Sequence, residues 1–103
     1  MTNGFVAVAG VDVVKDGQLE AFEVGGTTVA VANVGGALYA FADTCTHRGC
    51  SLAEGELDGT TVICPCHGGE FDVTTGEVLG GPPPEPVRTF ASRTDDGSFQ
   101  IAI

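Results

Sequence analysis

Val24-Gly-Gly-Thr-Thr-Val-Ala-Val-Ala-Asn-Val-Gly-Gly-Ala-Leu-Tyr-Ala-Phe-Ala42 runs for 19 residues without a charge. That is near the length of a membrane-spanning helix, which needs about 20 apolar residues. The content of the stretch decides against one. Gly25-Gly26 and Gly35-Gly36 interrupt it, and Thr27, Thr28 and Asn33 are polar. Between the glycine pairs the residues are short and β-branched, which is strand material separated by turns.

Working outward, the same punctuation recurs. Sixteen glycines, singly and in pairs, punctuate the chain, as the turn signals between short strands of a sandwich or barrel do. The pattern predicts strands over Phe5–Ala9, Leu19–Val24, Thr28–Asn33, Ala37–Ala42, Thr60–Cys64, Glu70–Val73, Glu77–Leu79, Val87–Ser92 and Ser98–Ile103. Apolar–polar alternation is clearest in Leu19–Val24 and Ser98–Ile103. Asp16-Gly17, Asp58-Gly59 and Asp96-Gly97 supply the positive-φ positions that tight hairpins demand. No window carries a helical stripe. The expected fold class is all-β and antiparallel, in one domain spanning residues 1–103.

Composition narrows the function. The chain has 103 residues, four Lys+Arg against fourteen Asp+Glu, and a formal charge of −10. A nucleic-acid binder needs clustered positive charge, and anionic lipid also attracts cations. Neither partner is expected. The first residues, Met1-Thr-Asn-Gly-Phe5, have no basic and apolar targeting pattern. The expectation is a soluble cytoplasmic protein.

Two segments depart from the strand pattern: Thr44-Cys-Thr-His-Arg-Gly-Cys50, and Pro65-Cys-His-Gly-Gly69, reached directly from the strand ending at Cys64; with Cys64 they hold all four cysteines and both histidines of the chain. They read Cys45-x-His47 and Cys64-x-x-His67, with Cys50 and Cys66 as extra cysteines. Buried cysteines and core histidines would not pair up in both loops. A structural zinc module remains an alternative, because two thiolates and two imidazoles make a tetrahedral zinc set. Zinc fingers, however, place like ligands in one arm. Arms that mix Cys and His suit a two-iron cluster with unlike ends, in which two cysteines hold one iron and two histidines the other.

These boxes resemble the two cluster-binding boxes of the Rieske family, C-x-H and then C-x-x-H after about sixteen residues. The resemblance covers the whole chain. It implies a Rieske-type antiparallel β-sandwich or barrel with a small cluster-binding subdomain near residues 43–73. By position it implies a [2Fe–2S] cluster with Cys45 and Cys64 on one iron and His47 and His67 on the other. Neutral imidazoles make such a cluster less negative, so Rieske potentials span roughly −150 to +300 mV, above plant-type ferredoxins. Gly80-Gly-Pro-Pro-Pro84 resembles the family's proline loop, which covers the cluster from a third side.

Three subclasses share this pattern: membrane-anchored subunits of quinol-oxidising complexes, soluble ferredoxins of ring-hydroxylating oxygenases, and small subunits of assimilatory nitrite reductase. Size, acidity and the absence of an anchor favour the second, and the third stays open as an alternative. The resemblance then implies an electron carrier between an NAD(P)H-dependent reductase and a terminal non-haem iron oxygenase, with no catalytic residues of its own. Cys50 and Cys66 match positions that form a disulfide in the quinol-oxidising type and are usually absent from oxygenase ferredoxins. A disulfide is expected here too, although cytosolic disulfides are uncommon. Gly69 and Phe71 stand where the quinol-oxidising type often has Ser and Tyr, so no hydroxyl is expected to raise the potential from there.

Overall fold

The computed structural model describes residues 5–44, 50–66, 68–81, 86–95 and 97–102. Its strands are β1 (Phe5–Ala7), β2 (Leu19–Val24), β3 (Thr27–Val34), β4 (Ala37–Ala42), β5 (Glu56–Asp58), β6 (Thr61–Ile63), β7 (Glu70–Asp72), β8 (Val78–Gly80), β9 (Thr89–Phe90), β10 (Ser92–Asp95) and β11 (Ser98–Ala102). All pairings are antiparallel, in three sheets ordered β1-β11-β10, β2-β3-β4-β9 and β5-β6-β7-β8. The all-β antiparallel expectation holds.

The uncharged run is the heart of the middle sheet. Val29, Ala30, Val31 and Ala32 of β3 are all buried. Successive side chains of a strand point to opposite faces, and here both faces are covered. Val29 and Val31 join Ala40, Phe90, Phe99 and Ile101 in one core, shared with the first sheet. Ala30 and Ala32 join Phe41, Leu52, Val62, Phe71 and Val73 in the other, shared with the third sheet. A strand buried on both sides reads as a continuous apolar run, so β3 lacks charges without being a membrane span. No helix among the described residues is long and apolar enough to cross a membrane. Phe41 and Phe71 are fully buried, and truncation of such a side chain to Ala costs about 3–5 kcal/mol.

Differences from the sequence reading are local. Glu56–Asp58 pairs with β6 as an extra strand. The stretch read as Val87–Ser92 divides: Thr89–Phe90 joins β4, whereas Ser92–Asp95 joins β11 in another sheet. Two 3-10 turns, Val11–Val13 and Leu52–Glu54, are too short for any helical periodicity to show. Gly59 and Gly97 carry positive φ in the β5–β6 and β10–β11 hairpins, as their Asp-Gly pairs suggest. Asp16-Gly17 closes no hairpin. It props the β3–β4 turn instead, with the Asp16 carboxylate accepting the Gly35 N–H at 2.7 Å and the Gly17 N–H donating to Asn33 at 2.8 Å.

The turn leading from β7 to β8 is held by Asp72. Its carboxylate accepts the Thr74 hydroxyl at 2.6 Å and the Thr74 N–H at 2.8 Å. These bonds, the hydroxyl first, hold the Asp72 carboxyl below the usual carboxylate range. A folded-state pKa below the unfolded one stabilises the fold above the ordinary Asp range of about 3.9 and loses that contribution as pH falls through the lowered value. Thr74→Val should therefore raise the Asp72 pKa toward the ordinary value. It should destabilise the protein at neutral pH by more than at acid pH. NMR titration of the Asp72 carboxyl checks the first point, and an unchanged titration contradicts the assignment.

Candidate metal centre

The second Cys/His box caps the β6–β7 hairpin. Cys64 follows β6, and its thiol is free and 2% exposed, packed in the core that contains Val62 and Phe71. The turn closes on itself: the Cys64 N–H donates to the Gly69 carbonyl at 2.7 Å, and the Gly68 N–H donates to the Cys64 carbonyl at 3.1 Å. This geometry leaves Pro65 and Cys66 exposed at the tip. Phe71 is buried in the core, so that position contributes packing there.

The first box lies between β4 and the Leu52–Glu54 turn. Thr44 and Ser51 form an antiparallel bridge across its base. Cys45, His47 and the intervening residues up to Gly49 lie outside the described residues, as does His67. What the structure does show is that the two boxes meet. Cys50 and Cys66 form a disulfide with their Cα atoms 6.5 Å apart. The bridge joins the last residue of the first box to the residue immediately before His67 in the second. The disulfide expected from the sequence is present.

A third segment reaches the same place. Gly81 has φ of +87°, and a Cβ added there would come within 2.7 Å of the Gly69 Cα. Backbone therefore rests directly on backbone, and any side chain at Gly81 would push the segment away from the second box. Gly81 leads into Pro82–Glu85, which lie outside the described residues. The contact is illegible in the sequence because the β7–β8 hairpin separates the two residues in the chain.

The donor chemistry fits an iron–sulfur centre. A buried, unbridged thiol is held beside a turn with fixed backbone, and a covalent tie brings the other box alongside. The model of the Rieske [2Fe-2S] domain matches residues 4–91 of the sequence. The chain belongs to the Rieske [2Fe–2S] domain family. Its cofactor is a Rieske-type [2Fe–2S] cluster. Among relatives of this Rieske chain, ferredoxin CarAc of Metapseudomonas resinovorans is 43% identical over 79 residues, 77% of this chain and 74% of that one. The cytochrome b6-f complex iron-sulfur subunit of Chlorobaculum thiosulfatiphilum is 37% identical over 89 residues, 86% of this chain but 48% of that one. Among solved structures, a complex of reduced oxygenase and oxidized ferredoxin in carbazole 1,9a-dioxygenase contains a chain with a TM-score of 0.87 and 35% identity, covering 98% of this chain and 94% of that chain.

The disulfide yields a prediction. Its sequence separation is 16 residues, for which loop-closure entropy gives about 3 kcal/mol of stabilisation. A cluster held by the same two loops would make part of that stabilisation redundant. The Cys50→Ser, Cys66→Ser double variant should fold and bind its cluster, yet lose iron faster than the wild type and show a lower potential. Alkylation followed by mass spectrometry checks the bond itself. Two alkylatable thiols at Cys50 and Cys66 in purified, oxidised protein contradict it.

Proposed function

We propose that this chain is a one-electron carrier, taking electrons from an NAD(P)H-dependent reductase and delivering them to a terminal non-haem iron oxygenase. Cys45 and Cys64 hold one iron of its cluster and His47 and His67 the other, within a cluster-binding subdomain near residues 43–73. The observation that carries the reading is the joining of the two Cys/His boxes by Cys50–Cys66, with the free Cys64 thiol buried two residues away. Similarity over nearly the full length to a chain found with an oxygenase supports the choice of partner.

The bound cluster supplies reversible one-electron storage. The protein's own residues set where that electron is exposed. Cys64 is sunk in the core, whereas Pro65 and Cys66, flanking the tip beside His67, are exposed. We assign the exit for the electron to the histidine side of the cluster, with the buried Cys64 insulating the other side. Leu79, half exposed on β8, leads through Gly80 and Gly81 to the same end and adds apolar contact area. Exposed apolar surface beside a redox centre suits a transient partner. With Cys64 and the histidines committed to the cluster and Cys50 and Cys66 to the disulfide, the chain carries electrons and does not itself transform a substrate, as its similarity to ferredoxin components of oxygenase systems supports. We place it in the cytoplasm, where NAD(P)H reductases draw their cofactor.

Charge directs the encounter. Between Arg48 and Arg88 the sequence has no Lys or Arg. The charged residues described there are Glu54, Glu56, Asp58, Glu70, Asp72 and Glu77, all acidic. The described cations lie elsewhere, with Arg88 and Arg93 resting on the Phe90 and Phe5 rings at 4.8 and 4.2 Å. An acidic cluster-bearing sheet is steered toward a basic partner face, over a range of about 10 Å at 0.1 M salt. Raising ionic strength from low to moderate should slow electron delivery by lowering the association rate. Stopped-flow kinetics checks this, and a salt-independent rate contradicts steering.

The ligand assignment is tested by substitution. His47→Ala or His67→Ala should abolish the Rieske electron paramagnetic resonance (EPR) signal, whereas Arg48→Gln should leave it in place. Purified protein should be red-brown. A colourless protein containing zinc, or a Rieske signal that survives loss of either histidine, overturns the assignment.

A further inference from the structure

Asp43 is the one buried charged side chain among the described residues, 6% exposed. It follows β4 directly, and its N–H donates to the Thr28 carbonyl at 3.3 Å, anchoring it to the middle sheet. From that anchor it accepts hydrogen bonds from three consecutive residues on the far side of the first box. Oδ2 accepts the Ser51 hydroxyl at 2.6 Å, the main-chain carbonyl accepts the Leu52 N–H at 2.6 Å, and Oδ1 accepts the Ala53 N–H at 2.8 Å. One residue thus ties both ends of the loop that carries Cys45 and His47.

The choice of a carboxylate is informative. Burying a charge is costly unless it is hydrogen-bonded or paired. Among the described residues no Lys or Arg pairs with Asp43, and its two oxygens are matched by two donors. A carboxylate accepts at both oxygens, whereas an amide accepts at only one. Asp43 is also close to the first box along the chain: two peptide units separate its Cα from that of Cys45, a span of at most about 7.6 Å. Its carboxylate is thus carried two residues from a proposed ligand, and negative charge near a redox centre opposes the arrival of an electron.

We propose that Asp43 is a positioning residue for the metal centre: its carboxylate clasps the first Cys/His box, and its charge holds down the potential of the bound cluster. The proposal rests on the ligand assignment above. The two roles separate by substitution. In Asp43→Asn the amide oxygen can still accept the Ala53 N–H, and the amide NH₂ can donate to the Ser51 hydroxyl oxygen. The clasp survives and the charge does not. Asp43→Ala removes both acceptors and leaves the Ser51 and Ala53 donors without them.

The test uses purified holoprotein. Redox titration followed by EPR should give Asp43→Asn a wild-type line shape with a potential shifted to more positive values. Iron release to a chelator should be several-fold faster in Asp43→Ala than in wild type. An Asp43→Asn potential at or below that of wild type overturns the charge role, because a merely structural residue would leave it unmoved. Wild-type iron release in Asp43→Ala overturns the clasp. If Asp43→Ala does not fold, Ser51→Ala decides the second point: faster iron release supports the clasp and unchanged release overturns it. His47→Ala separates this proposal from the ligand assignment. If its Rieske signal persists, the ligand assignment fails; if the signal is lost, the Asp43 results stand on their own.

Discussion

The two loops that carry the Cys/His boxes come from different sheets, and the Cys50–Cys66 bond is the constraint that keeps them together. Free loops would lose that juxtaposition to conformational entropy, which costs about 1–2 kcal/mol per ordered residue. Everything around the bond supports the same end. The β6–β7 turn is closed by the Cys64–Gly69 hydrogen bond, and Gly81 lies against it from a third direction. The first box is pinned at its base by the Thr44–Ser51 bridge and by Asp43. Beneath them lies the double-faced middle sheet, whose β3 and β4 contribute to both cores.

This arrangement combines two tendencies. The disulfide ties the two boxes together, and a held geometry for hydrogen bonds around a cluster favours a higher potential. Gly69 and Phe71 bring no hydroxyl, Phe71 is committed to the core, and the surrounding sheet is acidic. Negative charge near a redox centre disfavours reduction. The bridge therefore serves the loops mechanically, while electrostatics keeps the carrier able to pass its electron on. The bond links the two Cys/His boxes, the same pair of loops proposed to hold the cluster.

Much of this was legible in the sequence, for identifiable reasons. The β2–β3 and β3–β4 hairpins announce themselves through Gly25-Gly26 and Gly35-Gly36, whose positive φ values meet what tight turns require. The boxes stand out because the chain's cysteines and histidines occur nowhere else. Strand β5 was missed because Glu56-Leu-Asp58 is three residues long and lies between glycines, leaving no period to read. The split of Val87–Ser92 was missed because the interruption at Ala91 reflects which sheet each half joins, a tertiary matter. Asp43 gives no signal of its own, because an Asp at a strand end is ordinary turn chemistry and its role depends on partners eight and ten residues away. Gly81 was read only as part of a proline-loop resemblance, because its contact with Gly69 is visible only once the hairpin is folded.

The central claim is that the two boxes hold one cluster through two cysteines and two histidines. Pulsed EPR of the reduced protein, with ¹⁵N-labelled histidine, reads the ligands directly. The account predicts couplings to two distinct imidazole nitrogens on the same iron, both shifting on labelling. A reduced cluster that shows one such nitrogen or none would contradict it.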